Sequence, residues 1–368
     1  MMQKKSTLVL ARKFFQAVQV RRQVLLASLS LAVLTACSGG DTSAGSTGSA
    51  NPPPPPADNS ASLKLLPTTP LYSNKTAGTW LWDTTSVLSN SNKLTTADKT
   101  QVNALIQFCK DKQVTEVYLQ INRDIPVSKY QYLVSTLNAA MVTIGDTSTP
   151  ISVQALDGAS NWVVAAGEAR KNAFLDWVFA YQQMATVAQR FSAIHFDVEP
   201  YTAEPWKSDL AAGVLAYQNF VTNTKNRIAT KSASLGWNIN MVVDIPFWYD
   251  ERQYNNSYGS GNLAEWVYQN VPIVAIMSYR DTSGPIFDFI KNELAYGVTY
   301  NRRTIVGAET SQQEPSYVSF YEEGEAIMRT ELNRVVTAIS LNSSTAGAQY
   351  SFGIHDYTNW KSMPLSPR

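Results

Sequence analysis

Apolar and polar positions along the chain switch between two periods. Short apolar runs bounded by turn residues cover 79–83, 114–122, 151–156, 193–199, 235–245, 273–279, 304–308 and 350–354. These predict eight strands. Between them, apolar residues recur at helical spacing over 97–112, 130–141, 168–190, 210–230, 263–270, 287–297 and within 319–339. In the first of these, Val102, Leu105, Ile106 and Cys109 share one face. Strand and helix alternate throughout, which predicts an α/β fold with a parallel sheet. Roughly 300 residues from position 67 onward suit a single (β/α)8 TIM barrel. A doubly wound open sheet competes, but no Gly-rich phosphate loop follows the first strand.

Polar residues recur at the C-terminal ends of the predicted strands, where barrel enzymes carry their active sites. The fourth strand is the most informative. His195, Asp197 and Glu199 fall on one face, and Ile194, Phe196 and Val198 on the other. Two carboxylates on one face repel, which favours raising one pKa, as a general acid requires. Other strand ends supply Trp82, Asp157, Asp244, Trp248, Tyr279, Arg280, Glu309 and His355 as candidates. Asp244 is open to two roles, binding sugar hydroxyls or amines, or capping a loop. Trp80, Trp162, Trp206 and Trp360 also fall at or past strand ends and are candidates to line a cleft. Trp177, Trp237 and Trp266 read as core. No serine sits in a Gly-x-Ser-x-Gly elbow, which argues against a Ser/His/Asp hydrolase.

The N-terminal pattern is of another kind. Basic residues precede an apolar run from Val24 to Ala36, which ends in Leu34-Thr35-Ala36-Cys37. Residues 1–36 read as a secretory signal. The tetrapeptide resembles the lipobox of bacterial lipoproteins, which implies lipid on Cys37 and a membrane anchor. Residues 37–66, rich in Ser, Gly and Thr and then in Pro52 to Pro56, read as a tether that cannot bury a core. The reading is therefore signal peptide 1–36, tether 37–66 and barrel 67–368. Its expected location is the cell envelope, at the outer membrane of a Gram-negative host. A formal net charge of +1 argues against nucleic acid as a partner. With two histidines and two cysteines there is no zinc-type cluster, and no metal or organic cofactor is expected.

Ser192-Ala193-Ile194-His195-Phe196-Asp197-Val198-Glu199 resembles the strand-four signature of family 18 glycoside hydrolases, Asp-x-x-Asp-x-Asp-x-Glu. Met277-Ser278-Tyr279-Arg280 is similar to that family's strand-six Met-x-Tyr-Asp. Ser192, His195 and Arg280 depart from the pattern, each standing where the family has aspartate. The resemblance implies a chitinase-like enzyme in which Glu199 protonates the glycosidic oxygen. Asp197 and Tyr279 would then hold a substrate N-acetyl group, and Trp360 would floor a sugar subsite. Glu199-Pro200 with Glu309 also resembles the large clan of retaining barrel glycosidases, which implies Glu199 as acid/base and Glu309 as nucleophile. A third reading is a sugar-binding envelope lipoprotein that has lost activity. All three expect a polysaccharide or oligosaccharide as partner.

Overall fold

The computed structural model describes residues 74–368. The signal segment, Cys37 and the tether lie outside the described residues. Eight strands form a closed, all-parallel barrel. They are β1 (Ala77–Leu81), β2 (Val114–Gln120), β3 (Ser152–Asp157), β4 (Ala193–Phe196), β5 (Asn240–Pro246), β6 (Ile273–Met277), β7 (Arg303–Glu309) and β8 (Gln349–His355). Each pairs with its neighbours in chain order, and β8 closes on β1 through Ala77 with Phe352 and Thr79 with Ile354. The helices are α1 (Thr96–Lys112), α2 (Val127–Ala139), α3 (Ala165–Met184), α4 (Leu210–Leu235), α5 (Leu263–Asn270), α6 (Ser283–Tyr300), α7 (Gly324–Leu341) and the short α8 (Tyr357–Lys361). The expected TIM barrel is the fold.

Several boundaries differ from the sequence reading, each for a local reason. β4 stops at Phe196, where the ladder lengthens: the Asp197 N–H reaches the Asp157 carbonyl at 3.3 Å. Pro200 then opens a single 3-10 turn. β5 begins at Asn240, since Leu235 still belongs to α4, which Gly236 ends at φ 72°. Two antiparallel hairpins, pairing 141–144 with 147–150 and 253–256 with 259–262, were not expected.

Alternation sorts the strand residues into two layers. Trp80, Tyr118, Leu156, Ala193, Val242, Ala275 and Ile305 meet inside the barrel. Phe196 points outward, edge-on to Phe174 (5.9 Å) and Phe220 (5.7 Å). The bore holds two large rings, Trp80 and Tyr118, T-shaped at 4.8 Å. Two glycines make room for them. A Cβ on Gly78 would lie 2.1 Å from the Tyr118 hydroxyl, and one on Gly353 would lie 2.7 Å from the Trp80 ring.

Outside the barrel, the loop before α1 is pinned by a fully buried ion pair. Lys129 Nζ donates to Asp98 Oδ2 (2.8 Å), to the Ser89 carbonyl and hydroxyl (both 2.8 Å) and to Ser91 Oγ (2.9 Å). Asp98 also caps α1 with Thr95. Burial pushes its carboxyl up, but Lys129 and the Thr95 and Ser89 donors outweigh this and hold it well below the usual range. Removing one partner of such a pair strands the other, so Lys129→Met should cost about 3–5 kcal/mol in denaturant unfolding. Because the folded pKa of Asp98 is depressed, its contribution is full above the unfolded value and fades as pH falls below about 4. An unchanged unfolding midpoint in Lys129→Met would refute this role.

Candidate active site

The site is built on the inward face of β3, β4 and β5. His195 sits on β4 at full burial. Its Nδ1 lies 2.9 Å from Gln154 Oε1 on β3, and its Nε2 lies 2.7 Å from Asp244 Oδ1 on β5. Both ring nitrogens are therefore engaged sideways. Alternation aims the ring across to neighbouring strands and not along its own. Trp80 Nε1 approaches the second oxygen of Asp244 at 3.4 Å. Below, Gln154 Nε2 donates to Glu116 Oε2 (3.3 Å), and Arg303 grips both oxygens of Glu116 (2.5 and 2.9 Å).

Asp197 and Glu199 follow β4 at the C-terminal mouth. Asp197 is partly exposed, whereas Glu199 is only 5% exposed. Glu199 lies among aromatic rings. Tyr201 is held edge-on to Trp248 (5.0 Å), and Trp206 stacks on Tyr249 (5.6 Å). Burial raises the Tyr201 hydroxyl well above its ordinary value, and the Glu199, Tyr249 and Asp197 charges raise it further. Gly158 backs the site: a Cβ there would lie 1.9 Å from the Asp197 carbonyl oxygen. No residue other than glycine fits between β3 and Asp197.

A third group lies where β7 and β8 end. Glu309 Oε1 accepts from the Thr310 N–H (2.9 Å), the Ser311 N–H (2.8 Å) and the Ser311 hydroxyl (2.8 Å). Its Oε2 faces His355 Nδ1 at 2.9 Å. Burial would raise this carboxyl, but His355 and the Ser311 donors reverse the effect and hold it below the ordinary range. Trp82 Nε1 donates to His355 Nε2 (2.9 Å), and the Tyr279 ring lies 6.0 Å from the His355 ring. Trp80 links this group to the first, 5.7 Å from His355 and 6.1 Å from His195.

Other candidates sit elsewhere. Trp360 is fully buried outside the barrel, edge-on to Phe108 of α1 at 5.3 Å, with its N–H 3.3 Å from Glu325. It floors no cleft, because α8 turns it into the helix layer. Trp248 is buried between Tyr201 and the Arg252 guanidinium (5.0 Å). Arg280 donates to the Tyr279 carbonyl (2.7 Å) and rests on Phe289 (4.6 Å) and Tyr317 (5.1 Å). Asp157 alternates with the inward Leu156, so it faces the helix layer, where Arg123 and Arg170 are its nearby cations. Among the described residues no group of His, Cys, Asp and Glu is arranged to hold a metal ion. The sequence reading overlooked Gln154, Glu116, Arg303, Tyr201 and Tyr249. Gln154 was detectable as a polar residue set between Val153 and Ala155 in the middle of its strand.

No protein-family model matches the chain, and no curated protein sequence matches it. Solved structures with a similar arrangement include a class V chitinase mutant from Cycas revoluta in complex with (GlcNAc)3. It shows 10% identity over 64% of this chain and 68% of that one, with a TM-score of 0.36. A modular endo-β-1,4-mannanase of family 26 from Cellulomonas fimi gives 8% identity over 77% and 65% of the two chains, TM-score 0.45. A double mutant of the Cellulomonas fimi mannanase gives 9% over 81% and 67%, TM-score 0.47. At these values the fold rests on this chain's own strand ladder.

Burial pushes the Asp157 carboxyl up to about 6, against partial relief from the Gly158 N–H, Arg170 and Arg123. The folded state thus holds this proton more tightly than the unfolded chain. Stability should fall as pH rises from about 4 to about 7, by roughly 3 kcal/mol at most, and then level off. Asp157→Asn should remove that decline in urea titrations at several pH values. An identical pH dependence in the variant would refute the assignment.

Proposed function

We propose that this chain is a glycoside hydrolase acting on a polysaccharide that contains N-acetylated amino sugars, with Glu199 as proton donor. The observation that carries the reading is the pair at the mouth. Glu199 is buried and Asp197 is half-buried beside it, and the charges of both bear on the Tyr201 hydroxyl. Two carboxyl groups at one barrel mouth can divide the roles of proton donor and orienting group. Glu199 would protonate the glycosidic oxygen. Asp197 would orient the substrate's N-acetyl oxygen as it attacks the anomeric carbon, and the Tyr279 hydroxyl would hold the same group. No protein nucleophile is then needed.

The bonding of Glu309 favours this over a two-glutamate mechanism. Four donors already converge on its two oxygens. Such a carboxylate is a stabilised anion and a poor nucleophile. The lipid on Cys37 and a place in the cell envelope, at the outer membrane of a Gram-negative host, belong to the same proposal. A Cys37→Ser variant that still fractionates with membranes would reject the anchor.

The test of the activity is incubation with N-acetylated, de-N-acetylated and neutral polysaccharides, with products read by mass spectrometry. Release should be confined to the N-acetylated polymers. Glu199→Gln and Asp197→Asn should each lower turnover by about 10²–10⁴-fold, the range expected of general acid–base groups. Glu309→Gln should lower the unfolding midpoint and leave turnover within a few-fold. Equal loss in Glu309→Gln and Glu199→Gln, with release from neutral polymers, would favour Glu309 as nucleophile. Binding without release would favour a sugar-binding lipoprotein.

A further inference from the structure

The hydrogen bonds inside the bore have a direction, and Arg303 sets it. A guanidinium is always charged and only donates, so Glu116 below the mouth is a carboxylate and only accepts. The group that Gln154 turns to Glu116 must then be its amide NH2. Its carbonyl oxygen is left facing His195 Nδ1. That oxygen accepts, so Nδ1 carries a proton. At the other nitrogen, Nε2 faces a carboxyl oxygen of Asp244 at 2.7 Å. A proton must lie between these two atoms as well, whether nearer the ring or nearer Asp244.

We propose that Arg303, at the opposite end of the bore, is a positioning residue for the mouth. Acting through Glu116 and Gln154, it fixes the proton on His195 Nδ1, so the contact with Asp244 always holds a second proton. Asp244 and His195 together then present no net charge beside Asp197 and Glu199. The titratable and charged groups around the pair are Tyr118 from β2, Tyr217 from α4, and Glu116 and Arg303 below. Asp197 follows on the same strand. The remaining close neighbours are Trp80 and Gln154, which carry no charge. The consequence for catalysis rests on the reading of Glu199 as proton donor, whereas the proton on Nδ1 does not.

The chain has two histidines, so both can be followed by long-range 1H–15N NMR of the labelled protein. His355 is the internal reference. Trp82 donates to its Nε2, so it should show a protonated Nδ1 and a bare Nε2. His195 should show a protonated Nδ1 from pH 5 to 8. A neutral His195 ring with a bare Nδ1 would overturn the proposal in the wild-type protein alone. Gln154→Leu removes the acceptor, and the ring should then move its proton to Nε2, toward Asp244. An unchanged ring in Gln154→Leu would show that the relay does not set the tautomer. If this variant fails to fold, the Arg303→Met, Glu116→Leu double variant, which removes the charge pair together, should free the tautomer in the same way. If no polysaccharide is cleaved, the NMR result still stands and only the catalytic reading fails.

Discussion

The constraint on which the rest of the structure depends is the filling of the barrel bore. Two large rings, Trp80 and Tyr118, occupy it, and Gly78 and Gly353 are the spaces they fill. Little room is left around them, so the charged and amide groups that share the bore turn to protein partners. Arg303 and Glu116 meet as a two-point ion pair, and the remaining capacity of Glu116 is taken by Gln154 and by the Tyr118 hydroxyl (3.2 Å). A half-buried ion pair of this kind gains little net stability after desolvation. What it supplies is direction, because a fixed charge orders the amide and the imidazole above it.

The two sides of the mouth are consequently unequal. At the ends of β7 and β8, Trp82, His355, Glu309 and Ser311 form a closed chain in which donors and acceptors match. Both histidines are pinned with a proton on Nδ1, for opposite reasons. His355 has a donor at Nε2, and His195 has an acceptor at Nδ1. At the end of β4 the strand ladder gives out, and Asp197 and Glu199 stand past the last regular pairing. Close packing of Gly158 against the Asp197 backbone replaces the missing ladder. One side of the mouth is a matched hydrogen-bond chain, while the other holds its two carboxyl groups past the end of a strand.

How much of this was legible in the sequence follows from the kind of information each feature needs. The eight strands were legible because a barrel buries both faces, and apolar runs between helical periods mark them well. The facing of His195 was legible too, since parity along a strand is local. Its partners were not, because Gln154 and Asp244 come from neighbouring strands, and register between strands is set by barrel closure. Trp360 was misplaced for a similar reason. It follows β8 in sequence, but one short helix carries it to α1 and the helix layer. The hairpin 141–150 was hidden because Met141 continued the apolar spacing of α2, although Gly145 at φ 57° marks its turn.

The three departures from the strand-four and strand-six patterns can be weighed by where they lie. Ser192 precedes β4, at the end of the barrel away from the mouth, and its hydroxyl bonds the Val153 carbonyl (3.1 Å). A change there does not reach Asp197. Arg280 turns back to hold the Tyr279 carbonyl, so it fixes the backbone of the residue that would grip substrate. His195 is the departure that matters, because an aspartate at this point would place a carboxylate directly beneath Asp197. Here the carboxylate is supplied by Asp244 from the adjacent strand, and the imidazole lies between it and the Gln154 amide. A ring that must hold a proton toward each neighbour lowers the negative charge of the mouth without adding a free cation. Beneath Asp197 the acid therefore comes from β5 and not from β4, and the fixed charge that orders its proton sits at the far end of the bore.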